Sequence, residues 1–181
     1  MSASVRMGEM HVSSGSGEEL VAIGLGSCIG LALIDRAAGV AGLAHVVLPE
    51  SGGAVGTPGK FADLAVPALL SCVQQAGARK ERLEAVIVGG AKMFALGAGM
   101  DIGARNEAAV REALGSHRVR VRAAATGGNC GRTMRVSGDT VTVHEAGSKP
   151  ETLFGDGPAG SGGARAGSLR TGRIRVAGAE A

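Results

Sequence analysis

This chain must build its hydrophobic core almost without aromatic rings. Its 181 residues include three Phe, no Trp and no Tyr, yet 45% are hydrophobic and 32 are Gly. A domain of this length buries most of the surface that its unfolded chain exposes. Its core must therefore come from Val, Ile, Leu, Met and Ala on closely packed backbones. This predicts a layered α/β fold rather than an aromatic-rich sandwich, and the apolar content excludes disorder of the whole chain.

Charge excludes one class of partner. The chain carries 19 Lys and Arg against 16 Asp and Glu, a net charge of +3. Residues 155–181 contain four arginines and two acidic residues, which leaves the rest of the chain nearly neutral. Nucleic-acid binding needs a clustered basic face and, for single strands, rings on which bases stack. We therefore expect no nucleic-acid partner.

Cysteine spacing and hydropathy indicate the compartment. Cys28, Cys72 and Cys130 are an odd number at wide spacing, which indicates neither a disulfide framework nor a zinc site. The N-terminus lacks a signal-peptide pattern, and no apolar run approaches the ~20 residues that a membrane span requires. We expect a cytoplasmic protein that does not insert into a membrane.

Hydrophobic periodicity predicts strands and two helices. The strands are predicted at Met7–Val12, Glu19–Gly26, Cys28–Asp35, Val40–Leu48, Leu83–Val88, Val119–Ala123, Thr133–Val136 and Thr140–His144. Apolar residues at helical spacing predict the first helix over 61–73, and Pro67 within it indicates a kink or a later start. The second helix is predicted from about Ile102 or Asn106 to Leu114.

This periodicity is lost near residue 147, where Gly, Ala, Pro, Ser and Arg begin to dominate. We expect an ordered domain over residues 1–146. Residues 147–181 are predicted to be a disordered tail, apart from a short strand at Arg173–Val176.

Cys28 is the candidate nucleophile. It follows Gly24-Leu25-Gly26-Ser27, a tight turn in which backbone N–H groups can point at an approaching carbonyl. His45 is the candidate base, because neighbouring antiparallel strands can bring residues 17 apart into register. On these residues alone a packing role for Cys28 stays open, since lone cysteines in apolar runs are usually core residues.

The remaining cysteines and histidines have simpler interpretations. Cys72 shares the apolar face of the first helix, which indicates packing, and Cys130 lies in a glycine loop as a bystander or, alternatively, a redox partner. The other three histidines have no metal-ligating neighbours at suitable spacing and are interpreted as surface or strand residues: His11, His117 and His144.

Seven short motifs together resemble the chemoreceptor glutamine deamidase family, CheD. They are LGSC at 25–28, LAHVVLP at 43–49, SGG at 51–53, PGKFAD at 58–63, GGAKMF at 89–94, IGARN at 102–106 and TGGNCGR at 126–132. They occur in the family's order at matching intervals and cover roughly residues 5–146.

The resemblance implies a fold, an activity and partners. The implied fold is a layered α/β sandwich with a mixed or antiparallel sheet and two main helices, similar to CheD and to deamidating toxins. The implied enzyme is a protein-glutamine glutaminase that converts glutamines of methyl-accepting chemoreceptors to glutamate during chemotaxis, through a cysteine thioacyl intermediate. Cys28 takes the position of the family's nucleophile and His45 that of its histidine. The resemblance implies no cofactor, and it implies the phosphatase CheC as a second partner.

Further residues are expected to shape this site. The turn before the nucleophile predicts that Gly26 and Ser27 contribute to the oxyanion pocket, and Gly89, Gly90 and Asn129 are expected to border the substrate. Asn106, Asn129 and Arg105 can either position a carboxamide or cap a helix, and capping is the safer interpretation for Asn106.

One position departs from the family pattern. The family commonly has a catalytic threonine six positions before the cysteine, where this chain has Ala22. An alanine side chain cannot orient an imidazole, so we expect the Ala22 backbone carbonyl to accept a hydrogen bond from His45. The alternative is an adaptor with weak or no activity that binds CheC or receptors.

Overall fold

The computed structural model describes residues 1–15, 17–54, 56–93 and 101–156, together with the backbone of 173–176. These ranges contain two α-helices, α1 (Ala62–Gln75) and α2 (Ile102–Ser116). The strands are β1 (Ser2–Ser4), β2 (Met10–Ser14), β3 (Glu19–Leu25), β4 (Ile29–Asp35), β5 (Val40–Val46), β6 (Glu84–Gly89), β7 (Arg120–Thr126), β8 (Arg132–Ser137), β9 (Thr140–Glu145), β10 (Glu151–Phe154) and β11 (Arg173–Val176).

The strands form two sheets in separate layers. One sheet has the order β1-β3-β8-β9-β10, and the other has the order β11-β7-β6-β4-β5-β2. Two neighbouring pairs are parallel, β1 with β3 and β6 with β7, and the remaining pairs are antiparallel. Both helices pack on one face of the six-stranded sheet, and the five-stranded sheet packs on its other face. The predicted layered α/β sandwich with two main helices is confirmed.

Strand β4 lies at the centre of these layers. All seven of its residues are buried, as its continuous apolar sequence predicts for a strand covered on both faces. Ile29, Leu31 and Leu33 point to the helices, whereas Ala32 and Ile34 point to the other sheet. Because β5 pairs antiparallel with β4, the predicted pairing of these two strands is also confirmed.

Helix α1 runs through Pro67 instead of starting after it. A proline inside a helix costs about 3 kcal/mol. The helix nevertheless buries Ala65, Leu69 and Val73 completely against the sheet, and this packing outweighs the lost hydrogen bond. No helix in the described part of the chain is long and apolar enough to cross a membrane.

Two strands were not predicted from the hydrophobic pattern of the sequence. Strand β1 pairs with β3 through only three residues, too few for a recognisable pattern. Strand β10 pairs with β9 and continues its sheet past residue 146, where the domain was predicted to end. The predicted strand β11 is present beside β7, and the other tail residues beyond 156 lie outside the described part.

The end of strand β4 carries a buried charge. Asp35 is fully buried and accepts hydrogen bonds from the Arg82 guanidinium at 2.7–3.0 Å and from the N–H groups of Ala38 and Arg79. The Arg82 hydrogen bonds lower the pKa of this carboxyl from its ordinary value of 3.8 to about 2, against the opposing effect of burial. The ionised carboxylate thereby holds the β4–β5 turn against the chain segment that leads into β6.

We expect Asp35→Asn to destabilise the fold by about 1.5–3 kcal/mol, since a neutral amide weakens the hydrogen bonds that the carboxylate accepts from Arg82, Ala38 and Arg79. The Asp35 pKa is depressed by folding, so its contribution of about 2 kcal/mol is complete above pH 3.8 and is lost as pH falls toward 2. Urea unfolding at pH 7 and at pH 3 measures both effects. Glu112→Gln, which removes an exposed carboxylate, is the control. An Asp35→Asn variant that loses as much stability between pH 7 and pH 3 as the wild type would contradict this assignment.

Candidate active site

Cys28 lies in the short connection between β3 and β4. The turn before it is tight, because Gly24 adopts a φ of 73° and accepts a 2.9 Å hydrogen bond from the Gly26 N–H. The Cys28 side chain belongs to the apolar cluster between the two sheets, and the residue is only 8% exposed. The predicted glycine turn therefore delivers the thiol to one end of the layer between the sheets.

His45 lies on β5, directly opposite Gly30 of β4. Cys28 precedes Gly30 by two residues and so belongs to the same side of the strand pair. Such diagonal neighbours are roughly 7–8 Å apart, within reach of long side chains. Gly30 itself contributes no side chain opposite the imidazole, and a Cβ there would meet Leu25 and Met134. The predicted antiparallel pairing of the two strands is confirmed, but β4 begins at Ile29, so Cys28 immediately precedes its strand instead of starting it.

The N-terminal segment holds His45 in place. The Gly8 N–H donates to the His45 carbonyl at 2.9 Å, and the His45 N–H donates to the Glu9 carbonyl at 3.0 Å. Within the buried layer, the ring atom Nδ1 lies 3.2 Å from the Val5 carbonyl oxygen. The other ring nitrogen, Nε2, is buried and has no hydrogen-bond partner among the described residues. Nε2 is therefore available to accept a proton, as a general base requires.

The ring contact differs from the one predicted. We expected the Ala22 carbonyl to hold the imidazole, but the contact to Nδ1 comes from Val5. Ala22 is part of β3, where it pairs with Met134 of β8, and its side chain is completely buried between the sheets. The Val5 carbonyl reaches the ring because the Val5 N–H is bound to the Val21 carbonyl at 2.8 Å, which fixes this segment beside β3.

Burial favours the neutral forms of both side chains. It lowers the pKa of His45 below the ordinary value of 6.5, while the Val5 hydrogen bond and the charge of Glu9 act in the opposite direction. It also raises the pKa of the Cys28 thiol above 9.0, an effect that the backbone N–H of Cys28 partly offsets. Burial therefore opposes the charged forms, the thiolate of Cys28 and the imidazolium of His45.

Gly89 and Gly90 brace the cysteine connection. The Gly90 N–H donates to the Cys28 carbonyl at 2.8 Å, and the Ala91 N–H donates to the Gly26 carbonyl at 2.7 Å. Gly89 has a φ of 116°, and a Cβ there would collide with the Cys28 carbonyl oxygen. The N–H groups of Gly26 and Gly90 both have main-chain acceptors, and the expected contribution of Gly26 to the oxyanion pocket stays a prediction.

Asn129 lies in an exposed loop beyond this brace. The Gly128 carbonyl accepts from the Lys92 N–H at 2.8 Å, and the buried Arg132 side chain donates to the Gly127 carbonyl at 2.7 Å. Asn129 Oδ1 faces the Cys130 thiol at 3.6 Å. The segment at residues 89–92 therefore lies between this loop and the connection that carries Cys28, and Asn129 is exposed on the loop.

Sequence reasoning misplaced Asn106. The cap of α2 is Asp101, whose carboxylate accepts from the Ala104 N–H at 3.1 Å, and Asn106 lies inside the helix instead. It is completely buried on the face that also carries Gly103, Val110 and Leu114. An asparagine in line with apolar residues signals a buried polar group that needs partners. The sequence therefore carried a signal that Asn106 is buried and polar, but it did not show which groups form hydrogen bonds with its amide.

Residues 47–145 match the protein-family model described as CheD chemotactic sensory transduction. The chain belongs to the CheD family.

Three curated relatives show how far the CheD similarity extends. A probable chemoreceptor glutamine deamidase CheD of Symbiobacterium thermophilum is 43% identical over 145 residues, covering 77% of this chain and 88% of the relative. The chemoreceptor glutamine deamidase CheD of Thermotoga maritima is 43% identical over 136 residues, covering 75% and 85%. A probable chemoreceptor glutamine deamidase CheD of Clostridium kluyveri is 46% identical over 127 residues, covering 67% and 78%.

The range matched by the CheD family model contains Asn106, the loops with Gly89-Gly90 and Gly127-Gly128, and all of α1 and α2. Cys28 and His45 precede the matched range. Their assignment therefore depends on the LGSC and LAHVVLP motifs and on the geometry of the β4–β5 pair.

Proposed function

We propose that this chain is a chemoreceptor glutamine deamidase that converts glutamine side chains of methyl-accepting chemoreceptors to glutamate in chemotaxis. The observation that carries the proposal is the unpartnered, buried Nε2 of His45 on the same side of the strand pair as the Cys28 thiol. The names of the CheD relatives support the substrate, since each is described as acting on chemoreceptor glutamine.

The chemistry proceeds through a thioester. His45 Nε2 accepts the proton as Cys28 Sγ attacks the glutamine carboxamide carbon, and the C=O electron pair moves onto the oxygen. The tetrahedral intermediate collapses when the C–N bond breaks, and the nitrogen leaves as ammonia with the proton from His45. His45 then removes a proton from water, which attacks the thioester and releases glutamate and the Cys28 thiol. The N–H groups of Ser27 and Cys28 are the proposed oxyanion donors, since those of Gly26 and Gly90 are occupied.

The Val5 carbonyl sets the tautomer that this mechanism needs. A carbonyl oxygen only accepts hydrogen bonds, so the contact at 3.2 Å requires the proton on Nδ1. The neutral ring then carries a free electron pair on Nε2, the nitrogen that receives the thiol proton. The main chain of Val5 thereby supplies the orientation for which the family commonly uses a threonine at the position of Ala22.

Ala22→Thr tests whether the main chain is sufficient. We expect no more than about a twofold change in kcat, because Nδ1 already has a partner, and a loss of stability of about 1–3 kcal/mol from overpacking a fully buried site. Ammonia release from receptor and thermal unfolding measure the two effects. A large gain in kcat would show that the Val5 carbonyl does not replace the threonine.

The direct test incubates the protein with a chemoreceptor cytoplasmic fragment and follows ammonia release and peptide masses. We expect selected glutamine peptides to gain the mass difference between an amide and an acid. Binding of the receptor or of CheC without any mass change would favour an adaptor. We propose the cytoplasm as the site of action, since a reactive thiol needs a reducing compartment. We propose CheC as a second partner because the resemblance to the family implies it.

A further inference from the structure

The side-chain amide of Asn106 connects helix α2 to both halves of the proposed site. Its Nδ2 donates to the carbonyl oxygens of Ser27 and Val47, each at 2.9 Å. Ser27 immediately precedes Cys28, and Val47 follows His45 by two residues. One completely buried amide thus joins segments that are 79 and 59 residues away from it in sequence.

The hydrogen bonds fix the orientation of the Asn106 amide and leave its oxygen unpaired. Both partners are carbonyls, so the NH₂ group must face them. The Oδ1 atom on the other side is buried and has no partner among the described residues. Leaving a buried acceptor unpaired is destabilising. A leucine would avoid this cost but would leave the Ser27 and Val47 carbonyls without this donor, so the two carbonyls account for an asparagine here.

The Ser27 carbonyl fixes the direction of the next N–H. In a trans peptide the carbonyl and the following N–H point in opposite directions within one plane. When Asn106 holds the Ser27 oxygen toward α2, it turns the Cys28 N–H away from the helix.

The second hydrogen bond keeps the amide from rotating. The Leu48 N–H, which shares a peptide plane with the Val47 carbonyl, donates to the Lys60 carbonyl at 2.9 Å, so the Val47 carbonyl is itself held just beyond the end of β5. With one Nδ2 proton bound to this fixed carbonyl, the other proton is aimed at Ser27.

We propose that Asn106 is a positioning residue that aims the Cys28 N–H at the oxyanion of the tetrahedral intermediate. This inference depends on the proposed function, because an oxyanion forms only if Cys28 attacks a carboxamide. Asn106 touches no reacting atom and acts through the Ser27–Cys28 peptide.

Two reactions of the same thiol separate this role from general structural support. Deamidation passes through an oxyanion, whereas alkylation by iodoacetamide displaces iodide at a saturated carbon and forms none. The variants are Asn106→Asp, which keeps the shape and replaces the donor, and Asn106→Leu, which removes the polar group. Val110→Ala, one turn further along the buried face of α2, is the matched control for lost packing. Cys28→Ala is included to test the proposed function itself.

We expect both Asn106 variants to lose about 100-fold in kcat on receptor, with KM and the Cys28 alkylation rate within about twofold of wild type. Val110→Ala should lose thermal stability and keep its kcat. If kcat is unchanged in a folded Asn106 variant, or falls in step with the alkylation rate, the positioning of the oxyanion donor is wrong. If Cys28→Ala still deamidates receptor, the proposed function fails and this inference fails with it. A variant that does not fold is recognised by thermal unfolding, and the other variant then decides.

Discussion

Replacing Cys28 with alanine is expected to abolish receptor deamidation, with kcat reduced by about 10⁴-fold or more. The thiol is the only group in the proposed mechanism that forms a bond to the carboxamide carbon, and alanine offers no replacement. The fold should survive, because the change removes one sulfur from a site at the edge of the layer between the sheets. Receptor mass spectrometry after incubation with equal amounts of wild type and variant provides the measurement.

The other two cysteines are matched controls. Cys72 is half-buried on α1 and Cys130 is exposed in the 127–131 loop. Both are free thiols outside the β3–β4 connection that carries Cys28. We expect Cys72→Ala and Cys130→Ala to keep wild-type activity. Full activity of Cys28→Ala, or loss of activity in Cys130→Ala, would show that Cys28 is not the nucleophile.

His45→Gln is expected to lower kcat/KM by about 10²–10⁴-fold at pH 7 and to change the shape of the pH profile. In the wild type the imidazole must be neutral to accept the thiol proton. Burial lowers its pKa below 6.5, so activity should hold through neutral pH and fall only below that value, as Nε2 becomes protonated. A glutamine has no proton to lose in this range, so the variant should lack this acid limb.

The alkaline side of the same profile tests the thiol. Burial raises the pKa of Cys28 above 9.0, so without a base the reaction depends on the small thiolate population. The activity of His45→Gln should therefore increase steadily from pH 7 toward pH 9, whereas that of the wild type stays nearly level. His144→Gln serves as the control, because His144 lies on β9 and its ring contacts the Ser148 carbonyl. An unchanged acid limb in His45→Gln would exclude His45 as the base.

Much of the fold is readable from the sequence because its strands and helices follow regular apolar patterns. The apolar run over Cys28–Asp35 predicted a strand covered on both faces, and the strand β4 (Ile29–Asp35) is fully buried. The helical spacing over 61–73 predicted α1, although Pro67 misled the expected start. Three-residue strands such as β1 carry too little pattern to recognise.

The candidate site was only partly readable. The residue types and spacing made Cys28 and His45 the candidates, because a thiol after a glycine turn and a histidine on the next strand can supply the nucleophile and the base that acyl transfer requires. The roles of the surrounding backbone were not readable. Gly26 was expected to contribute to the oxyanion pocket and Gly90 to border the substrate, and the structure adds that their N–H groups bind the carbonyls of Gly24 and Cys28.

The near absence of aromatic rings determined from the sequence alone that this core is made of aliphatic side chains between close layers. The sequence also determined the family, through motifs in a fixed order. Only the tertiary structure decided which groups orient the site. Val5 reaches His45 from 40 residues away, and Asn106 reaches Ser27 from 79. The physical reason is that these hydrogen bonds join a main-chain carbonyl to a distant side chain. Every residue has such a carbonyl, so no sequence pattern marks the one that the packing of the layers brings into place.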